Sequence, residues 1–269
     1  MTTIGFIGAG NMGEALIRGL VGGKVVRPSD LWISEPDVAR RTRLVKEYRV
    51  RAAADNADLA RRCAVIVLAV KPYLMPAVLA AIAPATGRTK LVVSIAAGVT
   101  LGSLEAALQA RLVRTMPNTP ALVGEGATAI AWGRGVTAAD KALVGRLFGA
   151  VGTTVEIPEG LMDAVTGLSG SGPAYVFTVI QALADGGVQA GLPRATALQL
   201  AAQTVLGAAQ MVLATGAHPI QLRDQVASPG GTTIRGIAEL EERGVSGALM
   251  AAVRAAAARS KELSEKSGK

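Results

Sequence analysis

Ile4-Gly5-Phe6-Ile7 runs directly into Gly8-Ala9-Gly10-Asn11-Met12-Gly13, and Glu14-Ala15-Leu16-Ile17-Arg18 follows. The first four residues are typical of a buried parallel strand, and the last five have the composition of a helix. A strand, a G-x-G-x-x-G turn and a helix in this order form the dinucleotide-binding fingerprint. The three glycines permit, in turn, the tight bend, the approach of a pyrophosphate to the backbone, and the packing of the helix on the strand. The segment therefore predicts a dinucleotide site at the N-terminus of the first helix.

Apolar runs that suit buried strands recur through the first 158 residues, separated by Ala/Leu-rich segments with helical spacing. These runs cover residues 4–7, 30–34, 64–70, 91–97, 112–115 and 153–157. Strands that alternate with helices predict an α/β fold with a doubly wound, mainly parallel sheet of the Rossmann type. We assign residues 1–158 to this dinucleotide-binding domain.

From residue 159 to residue 269 the sequence predicts helices only. Long Ala/Leu/Gly segments are interrupted at residues 191–193, 216–219 and 228–231, where glycine and proline stand together. Residues 197–213 carry no charged side chain, so we expect this helix to be covered by a second subunit. The second domain is therefore predicted to be an all-α substrate and dimerisation domain. Its polar end, residues 260–269, is expected to fray.

Composition excludes several classes of function. The chain has one cysteine and one histidine, which leaves no His/Cys cluster for a metal, and we predict no metal site. Its net charge of +8 comes from scattered arginines without interleaved aromatics, so we expect no nucleic-acid partner. The apolar strand-like runs are far shorter than the ~20 residues that span a bilayer, and the N-terminus lacks the pattern of a secretory signal. We expect a soluble, cytoplasmic protein without a membrane partner.

The choice of nicotinamide cofactor stays open. Glu35 follows the second strand, where an acidic side chain suits the ribose 2′-hydroxyl of NAD. Arg40, Arg41 and Arg43 lie just beyond and could reach a 2′-phosphate, although an exposed helix face explains at least two of them. Ser34 could bind either cofactor, so NADPH and NADH both remain candidates.

Two segments combine glycines with hydroxyl side chains, at residues 167–175 and 228–233, and each is predicted to open a helix. Backbone N–H groups at such junctions can hold a carboxylate. Capping of the helix by serine or threonine would also explain the hydroxyls. His218 precedes Pro219 and is interpreted as a helix-start residue rather than a catalytic one.

Motifs along the whole chain resemble pyrroline-5-carboxylate reductase. They are Gly8-Ala9-Gly10-Asn11-Met12-Gly13, Ala69-Val70-Lys71-Pro72, Arg114-Thr115-Met116-Pro117-Asn118-Thr119-Pro120, Leu168-Ser169-Gly170-Ser171-Gly172-Pro173-Ala174-Tyr175, Asp185-Gly186-Gly187, Gly191-Leu192-Pro193 and Ser228-Pro229-Gly230-Gly231-Thr232-Thr233. The resemblance implies reduction of 1-pyrroline-5-carboxylate to L-proline by hydride transfer from NADPH or NADH. A protonated cyclic imine is already electrophilic, which agrees with the absence of lysine between Lys141 and Lys261.

Together, the glycine motif and the resemblance give a set of candidate site residues. The cofactor set is Ile7, Gly8, Gly10, Asn11, Met12, Gly13, Ser34, Glu35, Asn56, Ala69, Val70, Lys71, Pro72, Ala96, Ala97 and Gln225. The substrate set is Ser228, Gly230, Gly231, Thr232, Thr233, Ser171 and Glu159, with Thr233 as the catalytic candidate that meets the ring nitrogen.

The resemblance also implies a homodimer in which each site combines one subunit's nucleotide domain with its partner's Ser228–Thr233 loop, and further assembly to decamers. Two alternatives remain. A β-hydroxyacid-type dehydrogenase would need a lysine on the first long helix of the second domain, and residues 169–191 contain none. A non-catalytic NADP(H)-sensing protein of the same fold would bind cofactor without turnover.

Overall fold

The structure is a computed structural model, and it describes residues 2–267. The chain forms two compact units. The first contains the chain up to Ser171 and also the C-terminal segment from Ala255 onward, and the second is Gly172–Arg254.

The first unit is built on an eight-stranded sheet. Its strands are β1 (Ile4–Ile7), β2 (Leu31–Ser34), β3 (Arg51–Ala52), β4 (Val65–Leu68), β5 (Leu91–Ser94), β6 (Arg111–Met116), β7 (Gly126–Trp132) and β8 (Gly152–Glu156). Their order across the sheet is β3-β2-β1-β4-β5-β6-β7-β8. The first six are parallel, β7 runs antiparallel to β6, and β8 is parallel to β7. The predicted mainly parallel, doubly wound sheet is confirmed.

Strands β1, β4 and β5 lie next to one another inside the sheet, and all of their residues are buried. Continuous apolar runs of this kind fit strands that are covered on both faces. The chain crosses from one side of β1 to the other between β2 and β4, and ligands bind at this switch point in doubly wound sheets.

Helices and short helical turns connect the strands. In the first unit they are α1 (Asn11–Gly22), α2 (Val38–Tyr48), α3 (Asn56–Arg62), α4 (Met75–Ile82), α5 (Leu101–Ala107), α6 (Ala138–Gly149) and α7 (Met162–Val165). Asp55 caps α3 by accepting a hydrogen bond from the Asp58 N–H at 2.7 Å.

The second unit is helical, as predicted. It contains α8 (Gly172–Gln189), α9 (Arg194–Thr215), α10 (Pro219–Val226), α11 (Thr232–Glu242) and the first part of α12 (Val245–Ser267). The helices end at the predicted breaks, and the His218 imidazole caps α10 by accepting a hydrogen bond from the Ile220 N–H.

The core of the second unit is very small. Its buried hydrophobic cluster consists of Ala184, Ala197 and Ala201, while many larger side chains are exposed. These include Phe177, Leu183, Leu198, Leu200, Leu206, Met211 and Leu213. By length and composition alone α9 could cross a membrane, but one helix of this kind is weak evidence for a span.

Several features differ from the sequence-based expectations, among them the short strand β3. Strand β7 was not predicted, because its small side chains give little β signal and its pairing with β6 decides its conformation. The segment Thr166–Gly170 forms a π-helical turn that leads towards α8, rather than an open helix start. The predicted fraying of residues 260–269 is wrong as far as Ser267, because α12 continues to that residue. Residues 268 and 269 lie outside the described part of the chain.

The end of α12 is fixed by buried hydroxyl groups. Ser260 and Ser264 are buried, and both donate to Oδ1 of Asp163 in α7, at 2.6 and 3.2 Å. The same part of α12 lies against Gly98, where a Cβ would stand 3.5 Å from the Leu263 Cβ. The C-terminal segment is therefore a packed part of the first unit.

Candidate active site

A cleft of about 920 Å³ opens at the carboxyl ends of β1, β2, β4 and β5. Fourteen residues of the predicted cofactor set line it. They are Ile7, Gly8, Gly10, Asn11, Met12, Ser34, Glu35, Asn56, Ala69, Val70, Lys71, Pro72, Ala96 and Ala97. The topology explains the agreement, because the carboxyl ends of neighbouring parallel strands meet at one edge of the sheet.

The glycine turn has the geometry of a phosphate cradle. Gly8 has φ +84°, and a Cβ there would lie 2.7 Å from the Ala69 carbonyl oxygen. A Cβ on Gly10 would meet no protein atom within 4 Å, so the space beside it is open. Gly10 is also the N-cap of α1 without a side-chain capping bond, which leaves first-turn N–H groups available to an anion. Gly13 does not line the cleft, but a Cβ there would approach the Gly8 carbonyl oxygen to 2.7 Å.

The end of β2 and the start of α3 supply three polar groups to one side of the cleft. The Ser34 hydroxyl donates to Oδ1 of Asn56 at 2.6 Å. The carboxylate of Glu35 is buried and accepts hydrogen bonds from the N–H groups of Ala9 (2.9 Å) and Asp37 (3.1 Å). Glu35 therefore supports the glycine turn itself, a role that its position in the sequence does not reveal.

The loop that follows β5 forms another wall of the cleft, and Glu159 holds its far end. Oε1 of Glu159 accepts a hydrogen bond from the Leu101 N–H at 2.6 Å, at the start of α5. The same oxygen lies 3.1 Å from Nη1 of Arg114, whose side chain is only 4% exposed. Nη2 of Arg114 is buried without a partner among the residues described. Glu159 thus neutralises a buried guanidinium as well as fixing the loop.

Comparison with known proteins agrees with this architecture. The family model for pyrroline-5-carboxylate reductase dimerisation matches residues 159–263, and the model for F420-dependent NADP oxidoreductases matches residues 3–98. The pyrroline-5-carboxylate reductase of Synechocystis is 50% identical over 98% of both chains. The chain belongs to the pyrroline-5-carboxylate reductase family.

Two further members of the pyrroline-5-carboxylate reductase family extend the comparison. The Escherichia coli enzyme is 44% identical over 97% of this chain and 98% of its own. A solved reductase from Plasmodium falciparum with NADP bound has a TM-score of 0.88 at 37% identity and covers 98% of both chains. The fold and the order of its parts are therefore shared along the full length.

In the second unit, the segment Ser228-Pro229-Gly230-Gly231-Thr232-Thr233 leads into α11. Gly230 has φ +68°, and the Gly231 N–H bonds to the Ser228 carbonyl at 3.0 Å, which closes a turn. Gly231 is the N-cap of α11 and provides no side-chain capping bond. The hydroxyls of Thr232 and Thr233 form no hydrogen bond with any described residue. The start of α11 therefore presents N–H groups and hydroxyls together.

The other glycine-and-hydroxyl segment differs from its prediction. The Ser169 hydroxyl donates to the Val165 carbonyl at 3.2 Å, and the Ser171 N–H donates to the Thr166 carbonyl at 2.8 Å. These two bonds belong to the π-helical turn, while the Ser171 hydroxyl forms no hydrogen bond with a described residue. Ser171 is the last residue of this part of the first unit.

The predicted cofactor set leaves out part of the cleft, although Arg40 is considered for a 2′-phosphate and Pro117 and Thr119 lie in a motif that carries the resemblance. Its lining also includes Pro36, Arg40, Leu74, Ala77, Val78, Ile95, Pro117, Thr119 and Leu122. Most of these follow strand ends and carry apolar side chains that no cofactor motif singles out. Gln225, by contrast, belongs to α10 in the second unit and does not line the cleft.

Proposed function

We propose that the protein reduces 1-pyrroline-5-carboxylate to L-proline with NADPH or NADH. The observation that carries the proposal is the open glycine cradle at the switch point of a chain whose full length matches this reductase family. Its expected setting is a soluble, cytoplasmic enzyme of proline biosynthesis.

The cleft residues fit a nicotinamide dinucleotide. The open space beside Gly10 and the uncapped start of α1 suit a pyrophosphate. Ser34, Glu35 and Asn56 present polar atoms where a ribose would be expected. Ala69, Val70, Ala96 and Ala97 offer an apolar wall to the nicotinamide side. A bound NADPH or NADH supplies the hydride.

The substrate is assigned to the start of α11. The sequence points to the N–H groups around Gly231 and Thr232 for its carboxylate. Because the Gly231 N–H is bonded to the Ser228 carbonyl, we assign the carboxylate to the N–H groups of Thr232 and Thr233 at the start of the helix. The Thr233 hydroxyl meets the ring nitrogen and helps to orient the C=N bond. The imine carbon gains the hydride and the nitrogen carries the proton, so no strong protein acid is required. Positioning and electrostatics then supply most of the rate enhancement.

A complete site is assigned to a homodimer. The exposed apolar side chains of α8 and α9 have no covering element among the residues of their own unit, and a second copy of the chain would cover them. We propose that each site joins the cleft of one subunit to the α11 start of its partner. Decamers formed from such dimers are the expected larger assembly.

The deciding experiment follows nicotinamide oxidation by the purified protein with 1-pyrroline-5-carboxylate, using NADPH and NADH in parallel. We expect oxidation with stoichiometric proline. Cofactor binding without oxidation would instead support a sensor, and would refute the reductase function.

Thr233 provides the sharpest variant for this assay. Thr233→Ala should lower kcat by roughly 10- to 100-fold, the effect of one hydrogen bond to a charged group. Thr233→Ser keeps the hydroxyl and should retain most of the activity, whereas Thr233→Val keeps the shape and should not. Unchanged kinetics in both hydroxyl-free variants would remove Thr233 from the mechanism.

A further inference from the structure

The three arginines at the start of α2 have three different environments. Arg43 forms a fork with the Glu14 carboxylate, at 2.6 and 2.7 Å, and also contacts Glu47 at 3.1 Å. Arg41 donates through Nη1 to the Glu35 carbonyl oxygen at 2.7 Å. Neither side chain lines the cleft. Both guanidinium groups are therefore committed to holding the protein together.

Arg40 differs because it lines the cleft beside Ser34, Glu35 and Pro36. Its Nη1 lies 3.5 Å from Oε1 of Glu35, and its side chain is 41% exposed. The guanidinium forms no hydrogen bond with any residue that the structure describes. Such a long ion pair at an exposed side chain is weak. Arg40 is thus the one member of the trio that is free to turn towards a ligand in the cleft.

Glu35 stays in place whether or not Arg40 turns away. Its side chain is 5% exposed, and the N–H groups of Ala9 and Asp37 hold its two oxygens. A fixed carboxylate at the end of the second strand accepts bonds from ribose hydroxyls and repels a 2′-phosphate. Without a nearby cation, this cleft would be restricted to NADH.

We propose that Arg40 is the residue that admits NADPH to this cleft. When NADPH binds, the Arg40 guanidinium leaves Glu35 and pairs with the 2′-phosphate, for which its planar fork is suited. When NADH binds, the ribose hydroxyls face Glu35 and Arg40 stays beside that carboxylate. Both cofactors are accepted, and Arg40 sets the preference between them. The inference depends on the proposed function only in taking the cofactor of this cleft to be a nicotinamide dinucleotide.

The test compares Arg40→Gln with Arg41→Gln, its neighbour on the same helix. Dissociation constants for NADPH and NADH are measured on the intact protein without substrate, together with 2′,5′-ADP and 5′-AMP. We expect Arg40→Gln to raise the dissociation constants of NADPH and 2′,5′-ADP by about 10- to 100-fold, the effect of losing one charge-assisted hydrogen bond. Its affinities for NADH and 5′-AMP should change by less than about threefold, and Arg41→Gln should not discriminate between the cofactors.

Several outcomes would overturn the inference. Equal losses for NADH and NADPH in Arg40→Gln, or equal selectivity changes in Arg41→Gln, would exclude a specific contact with the 2′-phosphate. Arg40→Lys keeps the charge without the fork and should fall between wild type and Arg40→Gln. If the wild-type protein binds both cofactors but does not oxidise them with the imine, the proposed function fails while the role of Arg40 stands.

Discussion

Gly8 and Gly10 lie two residues apart in one turn, yet an added methyl group would affect them in opposite ways. Gly8→Ala would place a side chain at φ +84° and against the Ala69 carbonyl. The backbone strain alone costs about 1–3 kcal/mol, so this variant should melt at a lower temperature. Gly10→Ala has an ordinary φ of −67° and no protein contact, so its melting temperature should fall much less, by no more than the loss of a glycine N-cap.

The cofactor titration tests the open space beside Gly10 separately from the stability of the fold. The methyl group of Gly10→Ala occupies the space assigned to the pyrophosphate, and should weaken cofactor binding by at least about tenfold, or ~1.4 kcal/mol. A Gly10→Ala protein that bound cofactor normally would contradict the assignment of this cradle. Calorimetry or fluorescence titration, paired with thermal melts of both variants, makes the measurement.

Glu14 introduces a pH dependence through its fork with Arg43. The hydrogen bond from Arg43 lowers the pKa of the Glu14 carboxyl below its ordinary value. A lowered folded-state pKa gives stability that is complete above the unfolded-state value of about 4.3 and is lost as the pH falls through the folded-state value. The melting-temperature difference between wild type and Glu14→Gln should therefore shrink as the pH falls from about 5 to 3.

The control for this acid effect is Glu105→Gln, which removes an exposed carboxylate that has no ion pair with a described residue. Its melting-temperature difference from wild type should vary little over the same range. A constant difference for Glu14→Gln would show that the Arg43 fork does not stabilise the fold through the carboxylate charge.

At the scale of elements, the hydroxyls near the end of α12 bind it to α7. Ser260 donates to the Asp163 carboxylate from a buried position. A hydrogen bond to a charged group contributes about 1.5–3 kcal/mol, so Ser260→Ala should lower the free energy of unfolding by that order. Ser246→Ala, at an exposed serine of the same helix, should be neutral in the same denaturant titration. Equal effects of the two variants would show that the hydrogen bond to Asp163 does not stabilise the fold.

The elements also show what the sequence can and cannot predict. The glycine motif and the apolar runs of β1, β4 and β5 identify the sheet centre and most of the cleft, because local pattern and burial agree there. Strand β7 and the docked end of α12 escape prediction because contacts with other elements determine them: β7 pairs with β6, and α12 bonds to Asp163. The role of Glu35 in supporting Ala9 depends on a contact across 26 residues, which no local motif encodes.

On the scale of the whole molecule, shared sites can be tested by mixing inactive variants. Gly10→Asp places a charged side chain in the open space of the cleft and disables it, and Thr233→Ala removes the candidate catalytic hydroxyl. If sites are shared, a mixed dimer has one site with both defects and one with neither. Equal mixing with free subunit exchange should then restore about a quarter of the wild-type sites. No recovery, with exchange confirmed by differently tagged chains, would favour sites built within one subunit.

The three-alanine core of the second unit also affects how the protein folds in a cell. A newly synthesised chain can form its sheet alone, but the helices of its second unit bury little apolar surface until a second copy binds. Folding of these helices and association of chains then become one event that is governed by mass action. The fraction of folded enzyme would then rise with the concentration of the chain. At low concentration more of the chains would be unassembled and open to proteolysis.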